Sequence, residues 1–264
     1  MKILVTNDDG IDAPGLQVVA KELQKLGQVA VVAPLQEQSG VGTSISLRQH
    51  IKVKKLEPWG EDIEVYSVEG TPSDSVIIAT QSLFPGEINL VVSGINRGPN
   101  IGQDIFVSGT VGAALQGYLH GIPSMAISIN AYENFNFDVA AKLAFLLAVK
   151  LKNRALPQKI LLNINLPNLP PGEIAGIEIT RLSQQSYCDR VERKLDSKGE
   201  HYRIMRNNKK DLHHRNLSDD ILALEQNRIS ITPLPDSPIG NSIQHRLKDL
   251  APAIYSELHN YMPK

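Results

Sequence analysis

Short runs of consecutive apolar residues alternate with helical patterns along the first part of the chain. Residues 3–5 form a continuous apolar run that predicts a buried strand. Residues 14–26 then repeat apolar side chains at helical spacing, and Gly27 is a typical helix end. A second apolar run follows at residues 29–34. A strand, a helix and a second strand joined by short connections form a βαβ unit, and such units build parallel sheets that are covered on both faces.

The same alternation continues through the centre of the chain. Strands are predicted at residues 88–95, within PSMAISI and within KILLNINLP, and helices at residues 110–121 and 137–151. Residues 46–68 alternate apolar and polar positions instead, which favours an antiparallel hairpin. Together these elements predict an α/β fold whose core, over residues 1–182, is a Rossmann-like, doubly wound and mostly parallel sheet.

The character of the chain changes after this core. Residues 183–227 are mostly polar and charged, and the alternation in HYRIM favours a protruding antiparallel hairpin over a disordered insertion. Residues 228–264 contain one more predicted strand, RISITPL, and a terminal helix at 242–261. We therefore expect one domain over residues 1–264, with a hairpin extension and a C-terminal helical arm.

The composition and net charge of the chain argue against several classes of protein. The 264 residues are 42% hydrophobic and 21% charged, which is typical of a globular chain with a substantial core. The net charge of −1 argues against nucleic-acid or membrane partners, since such surfaces are usually strongly basic. The single cysteine, Cys188, excludes a disulfide within the chain and a cysteine-rich zinc site. Because no long apolar stretch is present, we expect a cytoplasmic protein.

Adjacent aspartates, Asp8 and Asp9, follow the first predicted strand. Like charges in contact are unfavourable unless a positive group lies nearby, and this group could be a metal ion, a lysine or only water. In doubly wound sheets, ligands bind beyond the carboxyl ends of the strands, where two further loops offer the oxygens of Ser39 and Asn96. Such an all-oxygen set is typical of Mg²⁺ or Mn²⁺ sites. Taken alone, however, Asp-Asp-Gly is more often a solvated turn or a helix cap.

The segment VSGTVGAA combines glycines with two hydroxyl groups at the start of a predicted helix. Backbone N–H groups at a helix N-terminus bind anions, glycines let a phosphate approach, and Ser108 and Thr110 could also donate hydrogen bonds. Plain capping of an alanine-rich helix is the alternative. The Gly-Lys-Ser/Thr of a P-loop is absent from the sequence. A cation site beside a phosphate site without such a lysine favours hydrolysis of a phosphate ester over transfer of a nucleotide's γ-phosphate.

These motifs resemble the SurE family of divalent-metal-dependent 5′/3′-nucleotidases, also called stationary-phase survival proteins. The similarity rests on MKILVTNDDG, the Ser-Gly at 39–40, GTPSDSV and SGINRGPNIGQDIFVSGTVGAA, in this order, and it resumes at RISITPLPDS. It implies one divalent ion, Mg²⁺ or Mn²⁺, bound by Asp8, Asp9, Ser39 and Asn96. In the expected mechanism the ion orients a phosphate oxygen and a water, and Asp8 or Asp9 serves as the general acid or base.

The resemblance also implies a phosphate loop, an assembly and a substrate. The loop corresponds to Ser108, Gly109 and Thr110, with Asn100 close by. The hairpin extension and the C-terminal arm are expected to form a homodimer or homotetramer. The implied substrates are nucleoside monophosphates, with short polyphosphate as a further possibility.

Two departures from the family pattern and two rival functions remain. The chain has Val107 where tyrosine is common and Gln116 where glutamate is common, which bears on substrate preference because neither is an expected metal ligand. A haloacid-dehalogenase-type phosphatase needs a nucleophilic aspartate in DxDG, a position that Asn7 occupies here. A non-catalytic nucleotide-binding oligomer would be marked by the loss of a metal ligand, and all four expected ligands are present.

Overall fold

The fold consists of a nine-stranded sheet and a separate two-stranded hairpin. The structure is a computed structural model, and it describes residues 1–60, 62–184, 188–196, 199–207, 219–234 and 238–261. The strands are β1 (Lys2–Thr6), β2 (Gln28–Pro34), β3 (Val53–Trp59), β4 (Ile63–Val68), β5 (Ile88–Arg97), β6 (Ser124–Asn130), β7 (Leu161–Pro167), β8 (Gly176–Ile179), β9 (Cys188–Asp196), β10 (Gly199–Asn207) and β11 (Arg228–Leu234). The helices are α1 (Pro14–Gln24), α2 (Pro72–Ile78), α3 (Gly109–Leu119), α4 (Phe137–Lys152), α5 (Asp220–Glu225) and α6 (Pro238–His259).

The strand order of the large sheet is β3-β4-β2-β1-β5-β6-β7-β11-β8. The six strands from β4 to β7 in this order are parallel, whereas β3 and β11 run antiparallel to β4 and β7. The chain moves from β1 to β2 on one side and later returns to β5 on the other side. The order therefore reverses between the carboxyl ends of β1 and β5, where ligands bind in doubly wound sheets. The predicted α/β fold with a mostly parallel sheet is confirmed.

Burial on both faces explains why the central strands are continuously apolar. In β1, Ile3 and Val5 pack into one layer with Leu23 of α1, whereas Leu4 packs into the opposite layer with Val76 of α2. None of these five side chains is exposed to solvent, and each contributes about 1.5–3 kcal/mol by leaving water. Helices on both faces thus fix the position at which β1 ends.

Helix α1 approaches the sheet closely because of a glycine in its first turn. A Cβ atom built on Gly15 would lie 2.4 Å from the carbonyl oxygen of Ile95 in β5. Only glycine allows this contact, which holds the start of α1 against the end of β5. The loop between β1 and α1, which carries the paired aspartates, is fixed at both of its ends.

The predicted antiparallel hairpins are present where the structure describes the chain. Strands β9 and β10 pair in antiparallel register, which confirms the hairpin, while residues 185–187, 197–198 and 208–218 of the polar segment lie outside the described residues. The antiparallel pair predicted within residues 46–68 is formed by β3 and β4, and β4 also joins the main sheet through β2. Within the described ranges, no helix combines the length and the apolar character needed to cross a membrane.

Candidate active site

A cleft of about 750 Å³ opens at the switch point of the sheet. Its lining includes Asp8 after β1, Ser39 after β2 and Asn96 at the end of β5. Asn100 and Ser108, from the segment between β5 and α3, line the same cleft. Three of the expected metal ligands and two of the expected phosphate-binding residues therefore share one cavity, because the carboxyl ends of parallel strands meet at one edge of the sheet.

Asp8 is a buried carboxylate that is hydrogen-bonded to the start of α3. The Oγ1 hydroxyl of Thr110, in the first turn of α3, donates a hydrogen bond of 2.6 Å to Asp8 Oδ1. Burial raises the pKa of Asp8 to about 6, and the charge of Asp9 adds to this rise, while the bond from Thr110 opposes it. Thr110, expected to contact phosphate, is itself fully buried and directs its hydroxyl to Asp8.

Asp9 is compensated by an arginine. The Nε and Nη2 atoms of Arg97 donate to Asp9 Oδ1 at 3.1 and 3.0 Å, and the Arg97 backbone N–H donates to Oδ2 at 3.3 Å. Burial raises the pKa of Asp9, although the hydrogen bonds and charge of Arg97 act in the opposite direction. The positive group beside the paired aspartates is thus an arginine that sequence reasoning missed. The sequence feature that could have identified Arg97 is its position directly after Asn96 in the same motif.

The arginine also connects Asp9 to Ser39. Its Nη2 lies 3.6 Å from Glu37 Oε2, and Glu37 Oε1 accepts a hydrogen bond of 2.6 Å from Ser39 Oγ. Because the hydroxyl hydrogen of Ser39 points to Glu37, the oxygen lone pairs of Ser39 can face a cation. Asp9 keeps lone-pair capacity on Oδ2, which accepts a single hydrogen bond from Arg97.

The four expected ligand residues fit a hard divalent cation by their donor atoms. Asn96 donates its Nδ2 hydrogen to the carbonyl oxygen of Gly98 at 2.8 Å, so its Oδ1 is the atom suited to a cation. The other donors are carboxylate and hydroxyl oxygens, as Mg²⁺ and Mn²⁺ prefer. Among the described residues, no cluster of three or more His, Cys, Asp or Glu side chains is arranged for a metal. A cation here would thus depend on the amide and the hydroxyl as well as on the aspartates.

Helix α3 begins in contact with Asp8. Ser108 caps the helix, since its Oγ accepts a hydrogen bond of 3.1 Å from the backbone N–H of Val111. A Cβ built on Gly109 would lie 2.8 Å from Asp8 Cβ and 3.0 Å from Asp8 Oδ2. The positive end of the helix dipole thus faces the carboxylate and the cleft, an arrangement that also suits a phosphate group. The capping predicted as the alternative role of Ser108 is confirmed.

Asn100 is held from behind by buried side chains of two strands. Its backbone N–H donates to Asn165 Oδ1 at 2.8 Å, and its Nδ2 donates to Ser128 Oγ at 2.9 Å. Its carbonyl oxygen accepts hydrogen bonds from Asn163 Nδ2 and Asn165 Nδ2 at 2.8 and 2.9 Å. Sequence reasoning missed this support. The signal was a pair of asparagines two positions apart in the otherwise apolar KILLNINLP, which places both on one face of β7.

A buried carboxylate at the start of α5 holds the same loop further along. Asp220 Oδ2 accepts a hydrogen bond of 2.8 Å from the Gly102 N–H, and Oδ1 accepts one of 2.9 Å from the Ser183 N–H. Burial raises the pKa of Asp220 to about 6. This residue thus connects the loop that carries Asn100 to the root of the hairpin.

The fold and the cleft define a doubly wound α/β protein with an oxygen-rich site suited to a cation and a phosphate. A sequence profile of the family described as "Survival protein SurE" matches residues 3–189. The 5′-nucleotidase SurE of Moorella thermoacetica is 44% identical over 248 residues, which are 94% of this chain and 95% of that protein. The 5′-nucleotidase SurE of Dehalococcoides mccartyi (strain CBDB1) is 43% identical over 89% of this chain and 88% of that protein.

The structural comparison agrees with the sequence comparisons. The crystal structure of the SurE protein from Aquifex aeolicus matches with a TM-score of 0.75 and 35% sequence identity, over 93% of this chain and 99% of that one. The chain belongs to the SurE family. Of the two departures from the family pattern, Val107 lines the cleft, whereas Gln116 is buried in α3.

Proposed function

We propose that this chain is a metal-dependent phosphatase that hydrolyses nucleoside 5′- and 3′-monophosphates to nucleoside and phosphate, with short polyphosphate as a second substrate. The observation that carries the proposal is the convergence of Asp8, Ser39 and Asn96 with the start of α3 in one cleft. Relatives of nearly the same length that are named 5′-nucleotidases support the substrate class.

Asp8, Asp9, Ser39 and Asn96 would hold one Mg²⁺ or Mn²⁺ ion. Bound there, the ion would supply positive charge for the phosphoryl group and lower the pKa of a coordinated water. The protein's own part is to orient the phosphate against the N-terminus of α3, where Ser108, Gly109 and Thr110 begin the helix, and to move a proton through Asp8 or Asp9.

The support around Asn100 gives this residue a further role. With its backbone and amide held by Asn165, Asn163 and Ser128, Asn100 presents a fixed polar surface to the cleft. We assign it to the positioning of a phosphate or ribose oxygen. Fixed donors need no reorganisation during the reaction, which is the main source of electrostatic catalysis.

The rival phosphatase mechanism is disfavoured by the position of Asn7. This side chain is fully buried and donates its Nδ2 hydrogen to the carbonyl oxygen of Gly10 at 2.9 Å, as a residue that shapes a turn does. An amide in this position cannot form the phosphoenzyme that a haloacid-dehalogenase-type enzyme requires.

The organisation of the chain suggests an assembly. We assign residues 1–182 to the catalytic core, and residues 183–227 and 228–264 to contacts in a homodimer or homotetramer in the cytoplasm. In support, the exposed apolar side chains of Val191, Leu195 and Tyr202 share one face of the hairpin according to its register. Light scattering coupled to gel filtration tests the assembly, and a monomer at micromolar concentration would refute it.

Phosphate release from a panel of nucleoside monophosphates, with EDTA, Mg²⁺ or Mn²⁺, tests the function. We expect release that requires the metal and is lost in Asp8→Asn. Asp12→Asn, which alters an exposed aspartate of the same loop, is the matched control and should retain activity. If wild type released no phosphate with either metal, or if Asp8→Asn retained full turnover, the proposed function or the assigned site would be wrong.

A further inference from the structure

The cleft is lined by side chains of two chemical kinds. Most of them are polar, among them Asp8 and the loop residues described above. Val107, Tyr132 and Ile204 are apolar or aromatic, and their exposed fractions are 39%, 68% and 72%. Apolar and aromatic side chains as exposed as these lose favourable burial unless a ligand or partner covers them. A ligand that fills the cleft would therefore combine an anionic group with a flat or apolar group.

Tyr132 lies directly beside the loop that carries Asn96 and Asn100. A Cβ built on Gly98 would lie 3.5 Å from Tyr132 Cε1, which is ordinary van der Waals contact. The backbone N–H of Gly98 also donates to the Ile129 carbonyl oxygen at 3.0 Å, which fixes this loop to the end of β6. The ring is thus placed beside the loop that carries Asn96 and Asn100, in the short connection between β6 and α4.

We propose that Tyr132 is the base-stacking residue of the site and that Val107 and Ile204 complete an apolar surface for the nucleobase. This inference rests on the proposed function. Tyr132 is the only aromatic side chain among the described residues that line the cleft. The cleft volume falls within the range of about 300–1,000 Å³ typical of small-ligand pockets, so it has room for a base beyond the phosphate.

The same three side chains imply weak discrimination between bases. Stacking on an aromatic ring tolerates every base, because each has a π-face. Val107 and Ile204 offer no side-chain hydrogen-bonding group to a base edge. We therefore expect kcat/KM values for AMP, GMP, CMP and UMP to differ by less than about tenfold, with purines preferred for their larger stacking area.

The test compares AMP with ribose 5-phosphate, which has the same phosphate and sugar but no base. In Tyr132→Ala, the ratio of kcat/KM for AMP to that for ribose 5-phosphate should fall about 5- to 150-fold, whereas Tyr132→Phe should keep the wild-type ratio. The matched control is Phe106→Ala, since Phe106 is 70% exposed but does not line the cleft. This control should leave the ratio within about twofold of wild type. A cooperative thermal unfolding transition of each variant would show that it is folded.

The outcomes separate the proposal from the function on which it rests. An equal loss on both substrates would overturn the proposal, because Tyr132 would then act only through the loop at Gly98. An unchanged ratio in Tyr132→Ala would also overturn it. If wild type hydrolysed neither substrate, the proposed function would fail, and calorimetric binding would decide about Tyr132. Tighter binding of AMP than of ribose 5-phosphate, lost in Tyr132→Ala, would still support the base site, whereas equal binding by wild type would refute it.

Discussion

Replacing Gly109 with alanine tests whether the start of α3 sets the position of Asp8. The new Cβ would lie 2.8 Å from Asp8 Cβ, 3.0 Å from Asp8 Oδ2 and 3.2 Å from Pro72 Cγ. Carbon atoms in ordinary contact are about 3.5–4.0 Å apart, so the carboxylate or the helix must move by roughly 1 Å. A displacement of this size at a reacting group costs about 100-fold in rate. We expect this loss in kcat/KM and weaker Mg²⁺ binding for Gly109→Ala.

Two other glycines supply the controls for this prediction. In Gly117→Ala, on the same helix, the Cβ would lie 2.5 Å from Ser124 Oγ and 2.6 Å from Val91 Cγ2, far from the aspartates. Such overpacking costs about 1–3 kcal/mol of stability without moving the site. In Gly172→Ala no atom beyond the adjoining residues lies within 4 Å of the new Cβ, so neither stability nor activity should change.

The assay combines steady-state phosphate release, Mg²⁺ titration by calorimetry and urea unfolding for the three variants. Gly109→Ala should lose activity out of proportion to its stability, and Gly117→Ala should lose stability with little change in the kcat/KM of the folded enzyme. The reasoning fails if Gly109→Ala keeps kcat/KM within about threefold of wild type and binds metal normally. It also fails if Gly117→Ala loses as much activity as Gly109→Ala.

Three further substitutions test the contacts around the cleft. Thr110→Val removes the hydrogen bond to Asp8 while keeping the shape, and calorimetry should show about tenfold weaker Mg²⁺ binding, because bonds to charged groups contribute about 1.5–3 kcal/mol. Asn165→Leu frees Asn100, so KM for AMP should rise more than kcat falls. Asn165→Gln, if it restores part of the effect, would confirm positioning, and an unchanged KM would contradict it. Burial raises the pKa of Asp220 from 3.8 to about 6, so the folded chain binds this proton more tightly than the unfolded chain. Wild type should therefore lose about 2 kcal/mol relative to Asp220→Asn as pH rises from 4 to 7. Urea unfolding measures this, and the same stability difference between the two proteins at both pH values would refute it.

Much of the site can be predicted from the sequence, because the carboxyl ends of parallel strands lie at the same edge of the sheet. Once β1, β2 and β5 are identified from their apolar runs, the residues that follow them must lie at the same edge. Asp8, Ser39 and Asn96 could therefore be placed together before any coordinates were known. This inference needs only the parallel direction of these strands and not the complete strand order.

The contacts that orient these residues could not be read in the same way. Arg97 could have faced solvent, and its pairing with Asp9 depends on how the β5 end and the β1 loop pack together. The direction of the Thr110 hydroxyl depends on the entry angle of α3, which Gly109 allows. Tyr132 gave no signal, because NAYENF has the composition of an ordinary loop. Asn163 and Asn165 gave one, since buried amides in an apolar strand must find partners.

The two adjacent aspartates are compensated unequally, and this asymmetry leads to a last prediction. Asp9 receives the guanidinium of Arg97, whereas Asp8 receives the neutral donors of the Thr110 hydroxyl and of backbone N–H groups at the start of a helix. The uncompensated negative charge therefore lies at Asp8, and a cation gains most from this residue. We expect Asp8→Asn to weaken Mg²⁺ binding by at least about tenfold more than Asp9→Asn, which is about 1.4 kcal/mol. Calorimetric titration of the two variants measures this difference. Equal losses would mean that Arg97 leaves Asp9 when the cation binds, and a larger loss for Asp9→Asn would show that the charge balance of the site has been assigned to the wrong aspartate.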